Sequence, residues 1–348
     1  MLPEAALEPP RVYGAPLSAG RLRTQPEDFL VEEHLGFAPA GAGQHVLLKV
    51  RKRDANTAWV ARQLAGLCGC RPADVGYAGL KDRRAVAVQW FTVPQSRLAC
   101  EDWTLVRSGE YEVLEAHRHS RKLPRGALAG NGFVIRVRGV DIDDARVASR
   151  LAAIEARGVP NYFGPQRFGR DAANLERVRS GLGALPPAER GFVLSAARSL
   201  LFNAVLAERV AEGSWERLEP GDLASLDGRA SYFPVEAADD TLAARCARLE
   251  IHPTGPLWGR EAPPSGGRVL ELERRIAARF PAECELVAAA GMEQERRSLR
   301  LAVRDLRWHR EPEAPDCIIL EFRLSRGAYA TAVLRELFAL DGYDESNT

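Results

Sequence analysis

The segment from Val75 to Trp90 concentrates more potential chemistry than any other stretch of the chain, running Val75-Gly76-Tyr77-Ala78-Gly79-Leu80-Lys81-Asp82-Arg83-Arg84 into a strand-like Ala85-Val86-Ala87-Val88-Gln89-Trp90. Two glycines three apart permit backbone geometries and close approaches that other residues resist. They lead directly to Asp82, which stands at a loop-to-strand junction with Lys81, Arg83 and Arg84 beside it. Nearby positive charge favours the ionised form of a carboxylate, so this one suits a nucleophile or general base, not a general acid. The chain holds only four lysines (Lys49, Lys52, Lys81, Lys122) against 44 arginines. Lys81 therefore marks a place where a compact ammonium stands instead of a planar guanidinium. Taken alone, such a run is more often a solvated charged turn than a site.

Other segments mix cations with rings. His117-Arg118-His119-Ser120-Arg121-Lys122, with Arg125 beyond it, is the densest basic cluster, and Asn131-Gly132-Phe133 follows. Phosphates would meet the cations while a ring such as Phe133 offers a stacking platform for a nucleotide. The competing readings are a solvated loop and a core Phe133, and His117 with His119 is not read as a metal site. Val159 to Arg170 packs Tyr162, Phe163 and Phe168 with two glycines and two arginines into a stretch too irregular for an amphipathic element. It reads either as a shaped loop at a domain junction or as a linker whose rings hold two domains together. Gln25-Pro26-Glu27-Asp28-Phe29-Leu30-Val31-Glu32-Glu33 reads as an acidic turn and strand.

The elements that must position these residues follow from periodicity. His45 to Val50 is strand-like; from Asn56, a plausible N-cap, Val60, Leu64 and Leu67 follow the helical period to a stop near Gly69. Ala85 to Val93 and Gly132 to Val140 read as strands, the second with Phe133, Ile135 and Val137 on one face and Arg136 and Arg138 on a cationic outer face. Asp143 to Ala156 reads as a helix that Gly158-Val159-Pro160 breaks. The next stretch, to about Asp305, is rich in helical periodicity (Leu194 to Val210, Leu242 to Leu249, Val269 to Phe280) and in Pro/Gly breaks. Cys317 to Leu324 returns to strand, and beyond Ser325-Arg326-Gly327 the residues Val333, Leu334, Leu337 and Phe338 predict a helix. This order points to a helix-rich middle inserted into a discontinuous first domain.

With 348 residues, 46% of them apolar, 27% charged and 7% aromatic, the composition suits a globular protein of about two domains, not a disordered one. No run approaches 18 consecutive apolar residues, and Met1 to Pro10 carries Glu4, Glu8 and three prolines where a signal peptide needs a basic end and an apolar run. A cytoplasmic protein with no membrane association is expected. The six cysteines, at 68, 70, 100, 246, 284 and 317, form no CxxC and read as reduced thiols, with no metal site expected. Lys and Arg number 48 against 47 Asp and Glu, yet between Lys49 and Arg138 the counts are 17 and 8. A cationic block in a near-neutral chain points to a polyanionic partner at one place.

Together these segments resemble the tRNA pseudouridine synthase D (TruD) family nearly end to end. The resemblance is carried by Pro26-Glu27-Asp28-Phe29, Gly79-Leu80-Lys81-Asp82-Arg83, Gly130-Asn131-Gly132-Phe133, Pro160-Asn161-Tyr162-Phe163-Gly164-Pro165-Gln166-Arg167-Phe168-Gly169, Leu194-Ser195-Ala196-Ala197-Arg198-Ser199 and Gly327-Ala328-Tyr329-Ala330-Thr331, in the family's order. It implies an α+β fold: a V-shaped enzyme whose pseudouridine synthase catalytic domain, residues 1–156 and 306–348, has a mixed, largely antiparallel sheet flanked by helices. An inserted α/β domain specific to the family would span 157–305. It implies further that the protein is a tRNA-modifying isomerase, converting uridine 13 of tRNA, tRNA-Glu in bacteria, to pseudouridine, with the base flipped into an aromatic-lined cationic cleft. tRNA is the expected partner, a monomer the expected state, and no cofactor is required, because uracil leaves C1′, turns and rejoins through C5 with no net redox change.

By the same resemblance Asp82 is the catalytic aspartate, acting either as a nucleophile at C1′ or as a base at the 2′ carbon through a glycal intermediate. Phe29, Asn131 and Tyr329 match positions that bind the target nucleoside; Phe133 stands where other pseudouridine synthases carry a stacking tyrosine. Arg23 aligns with a basic partner of the carboxylate, and Lys81 is placed among the substrate-binding residues. Tyr329 departs from the Phe of relatives and adds a hydroxyl that needs a partner or water. Two rivals remain at this point. A glycoside-type hydrolase would need a second carboxyl near the first, and an RNA-binding module would use the same cations without chemistry.

Overall fold

Runs of β-branched and aromatic residues between polar turns build most of the first 140 residues in the computed structural model of the chain, which describes residues 8–95, 102–169, 172–183 and 185–341. They give β1 (Ser18–Arg21), β2 (Phe29–His34), β3 (His45–Arg53), helix α1 (Thr57–Cys68), β4 (Gly76–Tyr77), β5 (Val86–Pro94), β6 (Tyr111–His119) and β7 (Gly130–Val137). The strand expected at His45 runs three residues further, to Arg53. Asn56 is the N-cap of α1, but its side chain makes no capping hydrogen bond, and Gly69 ends the helix at φ +66°. The apolar stripe of α1 (Val60, Leu64, Cys68) packs on Leu48 and Val50 of β3, Phe91 and Val93 of β5 and Val113 of β6.

The next segment opens with α2 (Asp144–Arg157), capped by Asp143, whose carboxylate accepts from the Ala145 N–H at 3.0 Å. Gly158, at φ +73°, ends it where an added Cβ would fall 2.4 Å from the Leu301 carbonyl oxygen. Then come β8 (Val159–Pro160), α3 (Ala173–Ser180), α4 (Pro187–Ala211), β9 (Leu223–Leu226), β10 (Tyr232–Pro234), α5 (Asp240–Ala247), β11 (Ile251–Leu257), α6 (Gly267–Ala277), α7 (Pro281–Ala289), β12 (Glu295–Ser298) and β13 (Arg300–Leu301). Helices dominate as expected. The segment also holds an antiparallel four-stranded sheet, in the order β10-β9-β11-β12, which the helical reading of the sequence did not foresee. Helix α4 is long and apolar enough by composition to cross a membrane, and 72% of that window is buried; its apolarity is that of a core helix packed on α3, α6 and α7.

The chain closes with β14 (Arg304–Glu311), β15 (Ala314–Ser325), a short helix α8 (Ala330–Leu334) and β16 (Phe338–Asp341). The helix expected to reach Phe338 therefore ends early, and Phe338 opens a strand. Strands from both ends of the sequence form one eight-stranded sheet in the order β14-β15-β7-β2-β5-β3-β6, with β4 also on β5. Only β2 and β5 run parallel, so the sheet is mixed and largely antiparallel. The class is α+β. Arg136 and Arg138 do point away from the face of Phe133, yet they do not make it cationic: Arg138 binds the buried Asp28 through both carboxylate oxygens and Arg136 binds Glu311.

The described residues divide into two compact units. A sheet unit takes Ser18–Ile142, Arg304–Gly327 and the chain from Ala339 on; an insertion unit takes the chain up to Leu17, Asp143–Val303 and Ala328–Phe338. Helix α2 and the segment carrying Tyr329 thus go with the insertion unit, although the sequence reading put both on the other side of its boundaries at 157 and 305. Cys68, Cys70, Cys246, Cys284 and Cys317 are free thiols; Cys100 lies outside the described residues.

Candidate active site

The loop that carries Asp82 is clamped through its backbone. Thr57, the first residue of α1, accepts from the Lys81 N–H at 3.0 Å through its hydroxyl, which in turn donates to Gln89 Oε1 at 3.0 Å. Gln89, on β5, donates from Nε2 to the Gly79 carbonyl at 2.6 Å. Fully buried Lys52, on β3, donates to the Asp82 carbonyl at 2.8 Å and the Ala55 carbonyl at 2.7 Å, with the Lys81 carbonyl at 3.4 Å. Burial pulls the Lys52 ammonium down to about 8, against the attraction of Asp82. Of the two glycines only Gly76 serves close packing, since a Cβ there would lie 2.4 Å from Thr92 Oγ1; at Gly79 it would meet nothing within 4 Å.

The cations beside Asp82 in sequence do not bind its carboxylate. Lys81 turns to Glu33 at 2.6 Å, a fully buried carboxylate that also accepts from the Trp90 N–H at 2.9 Å. Arg83 lies 3.5 Å from Asp54. The carboxylate is met instead by Arg23, whose Nη2 donates to Asp82 Oδ2; among the described residues no hydrogen bond reaches Oδ1. The Asp82 side chain remains 38% accessible while that of Arg23 is 15% accessible. Arg23 itself adopts a left-handed backbone, φ +54°, a conformation that costs a non-glycine residue on the order of 1 kcal/mol and that clusters at functional sites.

Arg23 joins Asp82 to an aromatic face. Its guanidinium carbon lies 4.4 Å from the centre of the Phe29 ring, Phe29 meets Phe133 edge-on with centroids 6.0 Å apart, and Phe133 stacks on Phe322 at 5.4 Å. Strand register explains the assembly: Glu33 opposes Asn131, Val31 opposes Phe133 and Phe29 opposes Ile135, so these side chains share one face of the sheet. Phe29 and Phe133 are both buried. Asn131 Oδ1 is also buried, without a hydrogen-bond partner among the described residues.

Tyr329 lies in the insertion unit, immediately ahead of α8. Its hydroxyl accepts a hydrogen bond from Arg167 Nη2, and Arg167 also donates to Ser195 Oγ at 2.9 Å. Phe163 tilts against its ring with centroids 6.4 Å apart, and the Phe163 ring carries the Arg297 guanidinium at 4.2 Å. Burial lowers Arg297 to about 10, which leaves it charged at neutral pH. The rings of the Val159–Arg170 stretch therefore belong to the insertion core, while Arg167 supplies the partner that the extra hydroxyl of Tyr329 needs.

An accessible carboxylate oriented by one arginine, beside rings and a buried amide, can attack or deprotonate a ligand set over it. Hydrolysis of a glycoside requires a second free acid; among the described residues the carboxylates of the neighbouring segments, Glu33 and Asp54, each hold a cation instead. Glu33, Lys52, Thr57, Gln89 and Arg167 were not identified from sequence as parts of the site; each looks ordinary until the fold brings it to its partner.

The family model described as tRNA pseudouridine synthase D (TruD) matches residues 11–179 and 172–337. The chain is 48% identical over 332 residues to a tRNA pseudouridine synthase D of Nitrosococcus oceani, covering 93% of this chain and 92% of that protein. It is 46% identical over 344 residues to one of Pseudomonas aeruginosa, covering 98% and 96%. Another, from Methylococcus capsulatus, is 46% identical over 337 residues, with 95% and 94% covered. In fold the chain is similar to a solved Methanosarcina mazei protein assigned to tRNA pseudouridine synthase D, with a TM-score of 0.72, 21% identity, and 94% and 95% of the two chains covered.

Proposed function

This chain belongs to the tRNA pseudouridine synthase D family, and we propose that it isomerises uridine 13 of tRNA, tRNA-Glu in bacteria, to pseudouridine in the cytoplasm, with Asp82 as the catalytic carboxylate. The observation that carries this reading is the Arg23–Asp82 pair held beside the Phe29–Phe133 face while Asp82 stays accessible. Arg23 orients the carboxylate through Oδ2 and leaves Oδ1 to face the sugar. On one route Oδ1 attacks C1′ and the N1–C1′ bond breaks, with the electron pair going to uracil. The ring turns, C5 displaces the carboxylate from C1′, and the C5 proton is lost as N1 gains one. On the other route Oδ1 removes the 2′ proton as uracil departs with the N1–C1′ electron pair to leave a glycal; C5 then bonds to C1′ as the proton returns to C2′, and the C5 proton is lost as N1 gains one. Both routes balance with no added atom and no change in oxidation state.

The target base must leave its stack, which costs a few kcal/mol and calls for replacement interactions. Within the sheet unit Phe29 and Phe133 provide apolar and aromatic surface and Asn131 Oδ1 is an acceptor with no partner among the described residues; for Tyr329, in the insertion unit, the nucleoside-binding role rests on the family resemblance. Lys81 acts through Glu33 and the loop backbone rather than directly on the carboxylate. The test is to incubate the purified protein with unmodified tRNA-Glu transcript and map pseudouridine at single-nucleotide resolution. A single new pseudouridine at position 13 is expected; product at other positions only, or no product, contradicts the reading.

A further inference from the structure

A cavity of about 520 Å³ opens on the sheet unit and is lined by Phe37, His119, Arg121, Leu123, Leu128 and Arg326 among others, by none of the groups used above and by no carboxylate. Phe37 is 39% exposed. It lies nearly parallel to the His119 ring, at 24° with centroids 5.4 Å apart. The loop that carries it is fastened to the end of β6: the Ala40 N–H donates to His119 Nδ1 at 3.3 Å, the Gly41 N–H donates to the Arg118 carbonyl at 3.1 Å, and Arg118 donates to the Gly43 carbonyl. Gly43, at φ +125°, sits so close that a Cβ would fall 2.4 Å from the His119 carbonyl oxygen. The ring is therefore presented to solvent by a braced loop.

Two exposed cations, Arg121 and Arg326, stand on the wall. The Arg326 N–H donates to the Ala129 carbonyl at 3.1 Å, two residues from Asn131. The Gly126 N–H donates to the Ala78 carbonyl at 2.7 Å, tying the opposite wall to the segment that leads into Asp82. A preformed aromatic platform over an apolar floor, with positive charge at the side, is the chemistry that holds a nucleotide: base on ring, phosphate on guanidinium. We propose that this cavity binds a nucleotide of the substrate RNA other than the target uridine, its base stacked on Phe37 and its phosphate held by Arg121 and Arg326. The inference rests on the proposed reaction for the identity of the RNA.

The test compares the wild type with Phe37→Ala, Phe37→Trp and the double variant Arg121→Ala/Arg326→Ala, measuring tRNA affinity across salt concentrations together with kcat and KM. Phe37→Ala is expected to weaken tRNA binding about tenfold with kcat within about twofold, and Phe37→Trp to restore it, as loss and regain of one stacked base require. The double variant is expected to flatten the dependence of log K on log salt by about one unit for each phosphate that is no longer neutralised, a slope that Phe37→Ala leaves unchanged. Wild-type affinity and salt slope in all variants, or binding of uridine monophosphate at the cavity with no effect on tRNA, would overturn the proposal. If the wild type makes no pseudouridine, the proposed reaction fails separately, and the affinity of Phe37→Ala still decides the cavity.

Discussion

Lys52 and Arg23 hold Asp82 in different ways, one through its carbonyl and the other through its carboxylate. Lys52 faces Asp82, Lys81, Asp54 and Glu33, and its burial moves it from 10.5 to about 8. The folded protein therefore releases this proton at lower pH than the unfolded chain, so stability rises with pH between about 8 and about 10.5. Unfolding by urea at about pH 7.5 and about pH 9.5 is expected to show a gain on the order of 1–2 kcal/mol in the wild type that Lys52→Met lacks; parallel profiles would refute the assignment. Arg23→Met removes the charge-assisted bond to Asp82 Oδ2, and a fall in kcat of about 10- to 100-fold is expected with tRNA affinity nearly kept. Asp82 was legible in the sequence because glycines, cations and a carboxylate crowd into one short segment. Its partners carry no such local mark: Lys52 and Arg23 lie 30 and 59 residues away, Arg23 is reached only through the family resemblance, and Lys52 is not reached at all, because a lone basic residue on a strand does not show what it will face.

At the scale of elements, α1 and β5 grip one loop through Thr57 and Gln89. Gln89→Leu removes the donor to the Gly79 carbonyl and strands the Thr57 hydroxyl, at a cost of about 1–3 kcal/mol in stability. Because the loop then holds Asp82 less firmly, kcat is expected to fall about tenfold while tRNA affinity stays within about twofold; equal losses in both would mean that the clamp serves folding alone. The half-buried strands and the amphipathic helices were readable from period. Strand β11 was not, since Ile251–Leu257 carries two prolines and a glycine and is buried at nearly every position, which erases the alternation that marks a strand. Likewise β12 is the polar run Glu-Arg-Arg-Ser, recognisable only by its pairing with β11.

For the whole molecule, the excess of positive charge between Lys49 and Arg138 is smaller in effect than its count suggests, because Lys49, Arg51, Arg53, Lys81, Arg83, Arg136 and Arg138 each bind a carboxylate. Charge counts along a sequence are blind to these pairings. Other cations of the block, Arg62, Arg84, Arg107, Arg121, Lys122 and Arg125 among them, stay exposed, and of these Arg121 lines the cavity. The central claim concerns one carboxylate, and Asp82→Asn tests it most directly, since it keeps shape and a hydrogen-bonding oxygen while removing the anion. Unmodified tRNA would be mixed with wild-type or Asp82→Asn protein, scoring bound RNA by filter retention and pseudouridine by nucleoside analysis of the same samples. The account predicts that the variant binds tRNA within a few-fold of the wild type and forms no detectable pseudouridine; pseudouridine formed by the variant at a rate near that of the wild type would contradict it.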